Sequence, residues 1–265
     1  MLLKITIKFI TIFFLIVTSI NAQESLLESR GLKIIRESEN KTEAMSEKII
    51  YDMVLYRDDK VVHEREMLRF FKKNSEEKRM LVKFSAPPSI KNISLLIVDS
   101  GDAINDIWSY SPADRKIRRI SGSQKQNWFM GTEFTYEDFE GFKFNAYKYE
   151  YISTNPCGKW KECHIVDAIP TADTEIKSSG YSKKRYWIES ESYYPVIVEY
   201  FDKNNKIKKR QVVQNMKYIN EYYRPTSQYM INLENKQKTS LIMKEYSING
   251  DIDDFYVSER FLRSR

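Results

Sequence analysis

The most informative part of the sequence is residues 104–140, which read INDIWSYSPADRKIRRISGSQKQNWFMGTEFTYEDFE. Its first segment, 107–110, is rich in aromatic and β-branched residues and predicts a strand. Pro112 then favours a turn over 111–114, because proline fixes φ and cannot donate to a sheet ladder. Residues 116–120 predict a second strand, which carries the cationic side chains of Lys116, Arg118 and Arg119. The succession predicts a β-hairpin that leads into a loop between Gly122 and Gly131.

That loop carries three consecutive large apolar residues, Trp128, Phe129 and Met130. Large apolar groups rarely form contiguous exposed patches, so the loop is expected to fold back onto an apolar surface. We interpret it as a lid. On this interpretation, Phe129→Asp lowers ligand binding and leaves the fold intact.

The alternation continues on both sides of this stretch, from about residue 46 to residue 248. Turn residues such as Pro170, Gly180 and Asn204 interrupt it, and we count about eleven strands. An antiparallel sheet of that size twists, curls and must have its apolar inner face covered. The sequence therefore predicts a mainly β domain, a single curled antiparallel sheet that forms an incomplete, half-open barrel.

Helices are predicted at both ends of the chain. The capping-box pattern at 25–28 indicates a helix over about 25–39, weakened by Gly31. A second helix is expected after Asp251, which is a reasonable N-cap, and a short one near 136–140.

The first 22 residues resemble a secretory signal peptide, with Lys4 and Lys8 before an apolar run over 9–17 and Ala22 as a small residue for cleavage. The alternative is an uncleaved membrane anchor, because isoleucine, here Ile20, is an unusual residue three positions before a cleavage site. Removal of residues 1–22 leaves a domain over 23–265 with a net charge of about +4. We expect an exported protein that lies outside the cytoplasm and binds no nucleic acid.

Cys157 and Cys163 are the two cysteines of the chain. In an oxidising compartment they predict a disulfide across a hairpin loop. A redox-active pair usually has the tighter Cys-x-x-Cys spacing, and the addition of His164 falls short of a zinc site. No cofactor or metal is expected.

The sequence offers little for catalysis. It has two histidines and none of the short hydrolase, zinc-protease or phosphate-loop motifs. We expect no enzyme. An acidic cluster, Glu133, Glu137, Asp138 and Glu140, lacks the spacing of a calcium loop, and we interpret it as a solvated helix start that pairs with the basic strand at 115–119.

The 104–140 stretch resembles the periplasmic LolA-like group of outer membrane lipoprotein-sorting proteins. Thr132-Glu133 stands where the family pattern has Ser-Asp. The matching residues are Trp108, Tyr110, Pro112, Ala113, Arg118, Arg119, Ile120, Phe129, Met130, Gly131, Phe134, Tyr136, Glu137 and Asp138. The resemblance implies a half-open barrel and a periplasmic carrier that shields acyl chains of a lipoprotein or lipid on the way to the outer membrane.

A carrier needs an apolar lining, because each exposed methylene costs about 0.8 kcal/mol. The candidate lining residues are Met53, Leu55, Met67, Met80, Val82, Ile93, Leu95 and Trp108, and each could equally belong to a packed core. Arg118 and Arg119 are candidate headgroup or lid ligands, with the 128–130 loop as the lid. We expect a monomer that works between an inner-membrane exporter and an outer-membrane acceptor.

The alternative is a non-enzymatic periplasmic adaptor of an envelope lipid exporter. In that case the barrel is filled, and an exposed edge or aromatic patch binds a protein partner.

Overall fold

The computed structural model describes residues 25–101 and 104–264. The predicted signal peptide, residues 1–22, and its cleavage site lie outside the described residues. No helix in the described part of the chain is long and apolar enough to cross a membrane.

Thirteen strands form one antiparallel sheet that does not close. Most neighbouring strands are joined by hairpins. The first strand, Ser46–Arg57, pairs with the last, Lys238–Ile248, so the strands Lys116–Ile120 and Tyr147–Pro156 become the two edges. The sheet therefore has about two strands more than the predicted count of about eleven. The strands are β1 Ser46–Arg57, β2 Lys60–Lys73, β3 Lys78–Ala86, β4 Ser94–Asp99, β5 Asp106–Ser111, β6 Lys116–Ile120, β7 Tyr147–Pro156, β8 Glu162–Pro170, β9 Lys183–Glu189, β10 Pro195–Phe201, β11 Ile207–Ile219, β12 Tyr222–Asn232 and β13 Lys238–Ile248.

The inner face of the curled sheet holds the main hydrophobic core. In β1, residues Ile49, Tyr51, Met53 and Leu55 are buried, while the residues between them are more exposed. This is the period of two that a strand imposes on its side chains. The half-open barrel predicted from the sequence is confirmed.

The C-terminal segment covers part of the outer face. A 3-10 helix, Asp254–Val257, and a short α-helix, Glu259–Leu262, pack there on Phe70 and Leu96. The expected single helix capped by Asp251 is wrong, because Asp253 and Ser258 cap two separate turns.

Helix α1, residues 25–42, packs on the strands at the other edge of the sheet through Ile34 and Ile35. Gly31 has a role that the sequence analysis missed. A Cβ at this position would lie 2.3 Å from the backbone oxygen of Tyr149 in β7. The glycine therefore permits the close approach of α1 to the sheet.

The open side of the barrel is spanned by the β6–β7 connection. It contains 3-10 helices at Gly122–Gln126 and Tyr136–Phe139, which agrees with the predicted short helix. Helix α2, Asp173–Ser178, packs on the first of them. The Asn145 side-chain amide also donates to the Gly101 carbonyl at 2.8 Å, which links the segment before β7 to the β4–β5 connection.

The Cys157–Cys163 disulfide forms, as predicted, with a Cα–Cα distance of 5.8 Å. It joins β7 to β8 and packs on Val196 and Val213.

Candidate functional site

A cavity of about 360 Å³ lies between the inner face of the sheet, the end of α1 and the segment 134–142. This volume is at the lower end of the range of about 300–1,000 Å³ that is usual for small-molecule sites. The apolar part of its wall consists of Ile49, Met67, Phe71, Met80, Val82, Ile97, Phe134, Phe139, Phe142, Val198 and Leu241. The barrel is therefore only partly filled.

The predicted lining residues divide into three groups. Met67, Met80 and Val82 line the cavity. Three others, Met53, Leu55 and Leu95, are buried in the inner core beside it, and Ile93 packs against that core.

Trp108 lies on the opposite face, against the cluster that includes Leu96 and Tyr110. The prediction that it faces inward is wrong. Its neighbour in β5, Ile107, is the inward residue.

The loop expected to be a lid fills one end of the barrel. Phe129 is only 1% exposed and stacks on Phe84 at 5.6 Å. It also meets Phe139 edge-on at 5.1 Å. Trp128, by contrast, is 38% exposed. Phe129 thus acts as a plug in the core, which contradicts the expectation that Phe129→Asp leaves the fold intact.

Two arginines that the sequence analysis did not select hold this plug. Arg65 Nη1 donates to the Met130 carbonyl at 2.8 Å, and Arg57 Nη2 donates to the Gly131 carbonyl at 2.9 Å. Arg118 and Arg119 instead form exposed ion pairs with Asp114 and Asp106. Neither lies in the cavity wall.

The acidic cluster is buried rather than solvated, so that interpretation is wrong. Glu133 pairs with Arg57 at 3.0 Å, and Asp138 pairs with the fully buried Lys209. The Glu137 carboxylate accepts the Gly180 N–H at 2.9 Å, and burial raises its pKa. These contacts fix the β6–β7 connection over the barrel.

Glu175 of α2 is the centre of a second buried ion-pair group. Lys143 and Lys125 lie 3.0 and 3.2 Å from its carboxylate, and the Tyr147 hydroxyl donates to it at 2.9 Å. Burial would raise the pKa of Glu175, but the two lysines outweigh it and lower the pKa to about 2. Lys143 also binds Glu140 at 2.7 Å.

One part of the cavity wall is strongly polar. Glu47 lies between two guanidinium groups: Arg224 Nε donates to Oε1 at 2.8 Å, and Arg69 Nη1 donates to Oε2. Burial would raise the pKa of Glu47, but Arg69 and Arg224 lower it below its usual value. Burial raises the pKa of Tyr51 and Tyr194 nearby, so both phenols stay protonated.

The end of α1 is tied to the sheet beside this polar wall. Lys78 binds Glu39 at 2.6 Å and Glu43 at 3.0 Å, and Lys73 binds Glu43 at 3.0 Å. These pairs hold the helix across the cavity.

Comparison with known proteins identifies relatives of this architecture. Residues 76–264 match a family model described as "-like: Uncharacterized protein". No curated protein matches the chain.

Several solved structures are similar. A domain named for outer membrane lipoprotein sorting, from Vibrio parahaemolyticus, has 23% identity and a TM-score of 0.81 over 89% of this chain and 100% of that one. A DUF1329 family protein from Desulfovibrio piger has 19% identity and the same TM-score over 89% and 99%. A LolA superfamily protein from Nitrosomonas europaea has 16% identity and a TM-score of 0.66 over 87% and 98%. At these identities the likeness shows a shared fold.

Proposed function

We propose that the chain, which belongs to the family whose model matches residues 76–264 and has the fold of a LolA superfamily protein, is a non-enzymatic periplasmic carrier. It shields an acyl chain of a lipid or lipoprotein while that molecule crosses the envelope. The proposed mature protein is residues 23–265, delivered by the signal peptide at 1–22 and stabilised by its disulfide.

The observation that carries this proposal is the cavity. Its apolar wall removes methylene groups from water, which is worth about 0.8 kcal/mol for each methylene. A volume of about 360 Å³ suits a single acyl chain. Cargo with more chains needs the sheet to open further at its unpaired edges, β6 and β7.

The proposed path begins at an inner-membrane exporter and ends at an outer-membrane acceptor. A carrier must also release its cargo. Its binding free energy therefore needs only to offset the cost of exposing the acyl chain to water during the crossing. The ion pairs at the end of α1 bound one side of the space that the cargo occupies, and Phe139, which contacts the plug at Phe129, lines another side.

Filling the cavity tests the proposal. Leu241 lines it, whereas the next residue in β13, Ile242, is exposed on the other face. We expect Leu241→Trp to weaken binding of a fluorescent fatty acid at least about tenfold, which corresponds to about 1.4 kcal/mol. Ile242→Trp is the matched control and should bind as the wild type does.

Equal binding by both tryptophan variants would place the ligand elsewhere and remove the carrier proposal. Circular dichroism of each variant establishes that the sheet is intact before the affinities are compared.

A patch of exposed tyrosines on the long β11–β12 hairpin favours the adaptor as a second function. Tyr218 and Tyr223 are exposed, and their ring centroids lie 4.9 Å apart. An adaptor would yield a stable protein partner and no bound lipid from an envelope extract. Serine at both positions would abolish that capture and leave fatty-acid binding unchanged.

A further inference from the structure

The cavity wall contains more cationic hydrogen-bond donors than its acceptors use. Glu47 is the single carboxylate between Arg69 and Arg224. Arg224 uses a further nitrogen on the Tyr223 carbonyl at 2.7 Å, and Arg69 Nε contacts the Met80 sulfur at 3.2 Å. Arg69 Nη2 donates to no residue in the described part of the chain.

Two phenols add to this surplus of donors. Tyr51 and Tyr194 line the same cavity, and their hydroxyls make no hydrogen bond with any described residue. Their pKa values respond to both arginines and to Glu47, which places the five groups in one cluster. Protonated phenols are donors, so they can bind the same acceptor as the guanidinium groups.

The other carboxylates of the wall mostly have cationic partners of their own. Glu39 and Glu43 are paired with Lys78, Asp138 with Lys209, and Glu140 with Lys125 and Lys143. Asp99 and Lys184 also line the cavity, and neither forms an ion pair with any described residue. Two guanidiniums against one carboxylate therefore leave a local excess of positive charge at this cluster.

An oxyanion is the ligand that this arrangement fits. Guanidinium groups present planar, paired donors that match carboxylate and phosphate oxygens. Apolar wall residues, including Ile49, Met67 and Val82, adjoin the cluster. A single-chain amphiphile could thus place its chain on the apolar wall and its charged end on the arginines.

We propose that Arg69, Arg224, Tyr51 and Tyr194 form a headgroup site that selects amphiphiles ending in a carboxylate or phosphate. This inference rests on the proposed function and deepens it, because it gives the cargo a charge class. Glu47 holds the two guanidiniums in place and limits how tightly the anion binds.

The test uses four probes with the same alkyl chain: palmitate, hexadecyl phosphate, hexadecanol and hexadecylamine. Each displaces a neutral fluorophore such as Nile red from the full chain at mildly alkaline pH, where both acidic probes are ionised. We expect both anions to bind about tenfold to a hundredfold more tightly than hexadecanol, the range for a charge-assisted hydrogen bond, and the amine to bind most weakly. The two anionic probes distinguish a carboxylate from a phosphate cargo.

Two variants change the preference in opposite directions. Arg69→Met should lower the preference for the two anions over hexadecanol at least about tenfold, because the lost guanidinium stabilises an anion more than a neutral hydroxyl. Glu47→Gln should strengthen anion binding, because it removes the competing carboxylate while keeping a hydrogen-bond acceptor. Arg210→Met, which breaks the Arg210–Glu199 pair elsewhere on the sheet, is the matched control.

The outcomes separate the inference from the proposed function. Equal binding of hexadecanol and the two anions would overturn the headgroup site and leave the carrier standing. Full anion preference in Arg69→Met would also overturn it and would assign the charge recognition to Lys184. Failure of all four probes to bind would overturn the carrier and the headgroup site together. Should Arg69→Met not fold, the wild-type probe series and Glu47→Gln decide the question.

Discussion

Phe129 offers the sharpest test of how the barrel is closed. Its ring is 1% exposed and contacts Phe84, Tyr136 and Phe139 at centroid distances of 5.6, 5.6 and 5.1 Å. Truncating a buried phenylalanine to alanine costs about 3–5 kcal/mol. The aromatic contacts, each worth about 0.5–1.5 kcal/mol, place Phe129→Ala in the upper part of that range. We therefore expect Phe129→Ala to lower the free energy of unfolding by about 4–5 kcal/mol.

Urea unfolding followed by far-UV circular dichroism measures this loss as a shift of the midpoint at constant slope. Trp128→Ala is the matched control, since Trp128 is 38% exposed and the Nζ atoms of Lys208 and Lys209 lie 5.1 and 5.0 Å from its ring centroid. It should lose about 1 kcal/mol. If Phe129→Ala costs no more than Trp128→Ala, Phe129 is not a plug, and the loop exchanges with solvent as a lid would.

Three further predictions concern stability. Reducing the Cys157–Cys163 bond should lower the free energy of unfolding by about 2 kcal/mol, the loop-entropy value for so short a loop; an unchanged urea midpoint in dithiothreitol would contradict this. Gly31→Ala should destabilise the protein despite the better helix propensity of alanine, because the new Cβ would lie 2.3 Å from a carbonyl oxygen of β7. Gly141→Ala is the control: its Cβ would meet open space, and its stability should be unchanged. The pKa of Glu175 is lowered from 4.5 to about 2. Its ion pairs therefore add about 3 kcal/mol to the free energy of unfolding above pH 4.5, and this contribution is lost as the pH falls towards 2. Glu175→Gln should be less stable at neutral pH and should lack this part of the acid dependence in urea titrations.

The parts of the fold that depend on local pattern could be predicted from the sequence. Alternation in β1 identified Tyr51, Met53 and Leu55 as strand residues, and the exported context identified the disulfide. Period two does not by itself say which set of side chains faces inward. Trp108 was therefore assigned to the wrong face, although Ile107 beside it has the inward position.

Long-range polar contacts could not be predicted in the same way. Glu133 and Asp138 are close in sequence to the basic strand, but they pair with Arg57 and Lys209 from distant strands. These ion pairs hold the β6–β7 connection in place because they are buried, and their burial requires the complete sheet to assemble. The Glu47 cluster was missed for the same reason. Arg69 in β2 and Arg224 in β12 are far apart in the chain, and they meet at Glu47 only when β1 pairs with β2 and when β13 joins β1 to β12. The sequence did offer one signal, which was Glu47 itself: a charged residue at an inward position of β1, whose other inward residues are mostly apolar.

The decisive experiment on the carrier is native mass spectrometry of the protein purified from the envelope fraction without detergent. We expect the mass of residues 23–265 less two hydrogens, together with discrete added masses that organic extraction identifies as anionic lipid. A bare protein mass in every preparation, with no added mass after incubation with palmitate, would contradict the carrier and favour the adaptor.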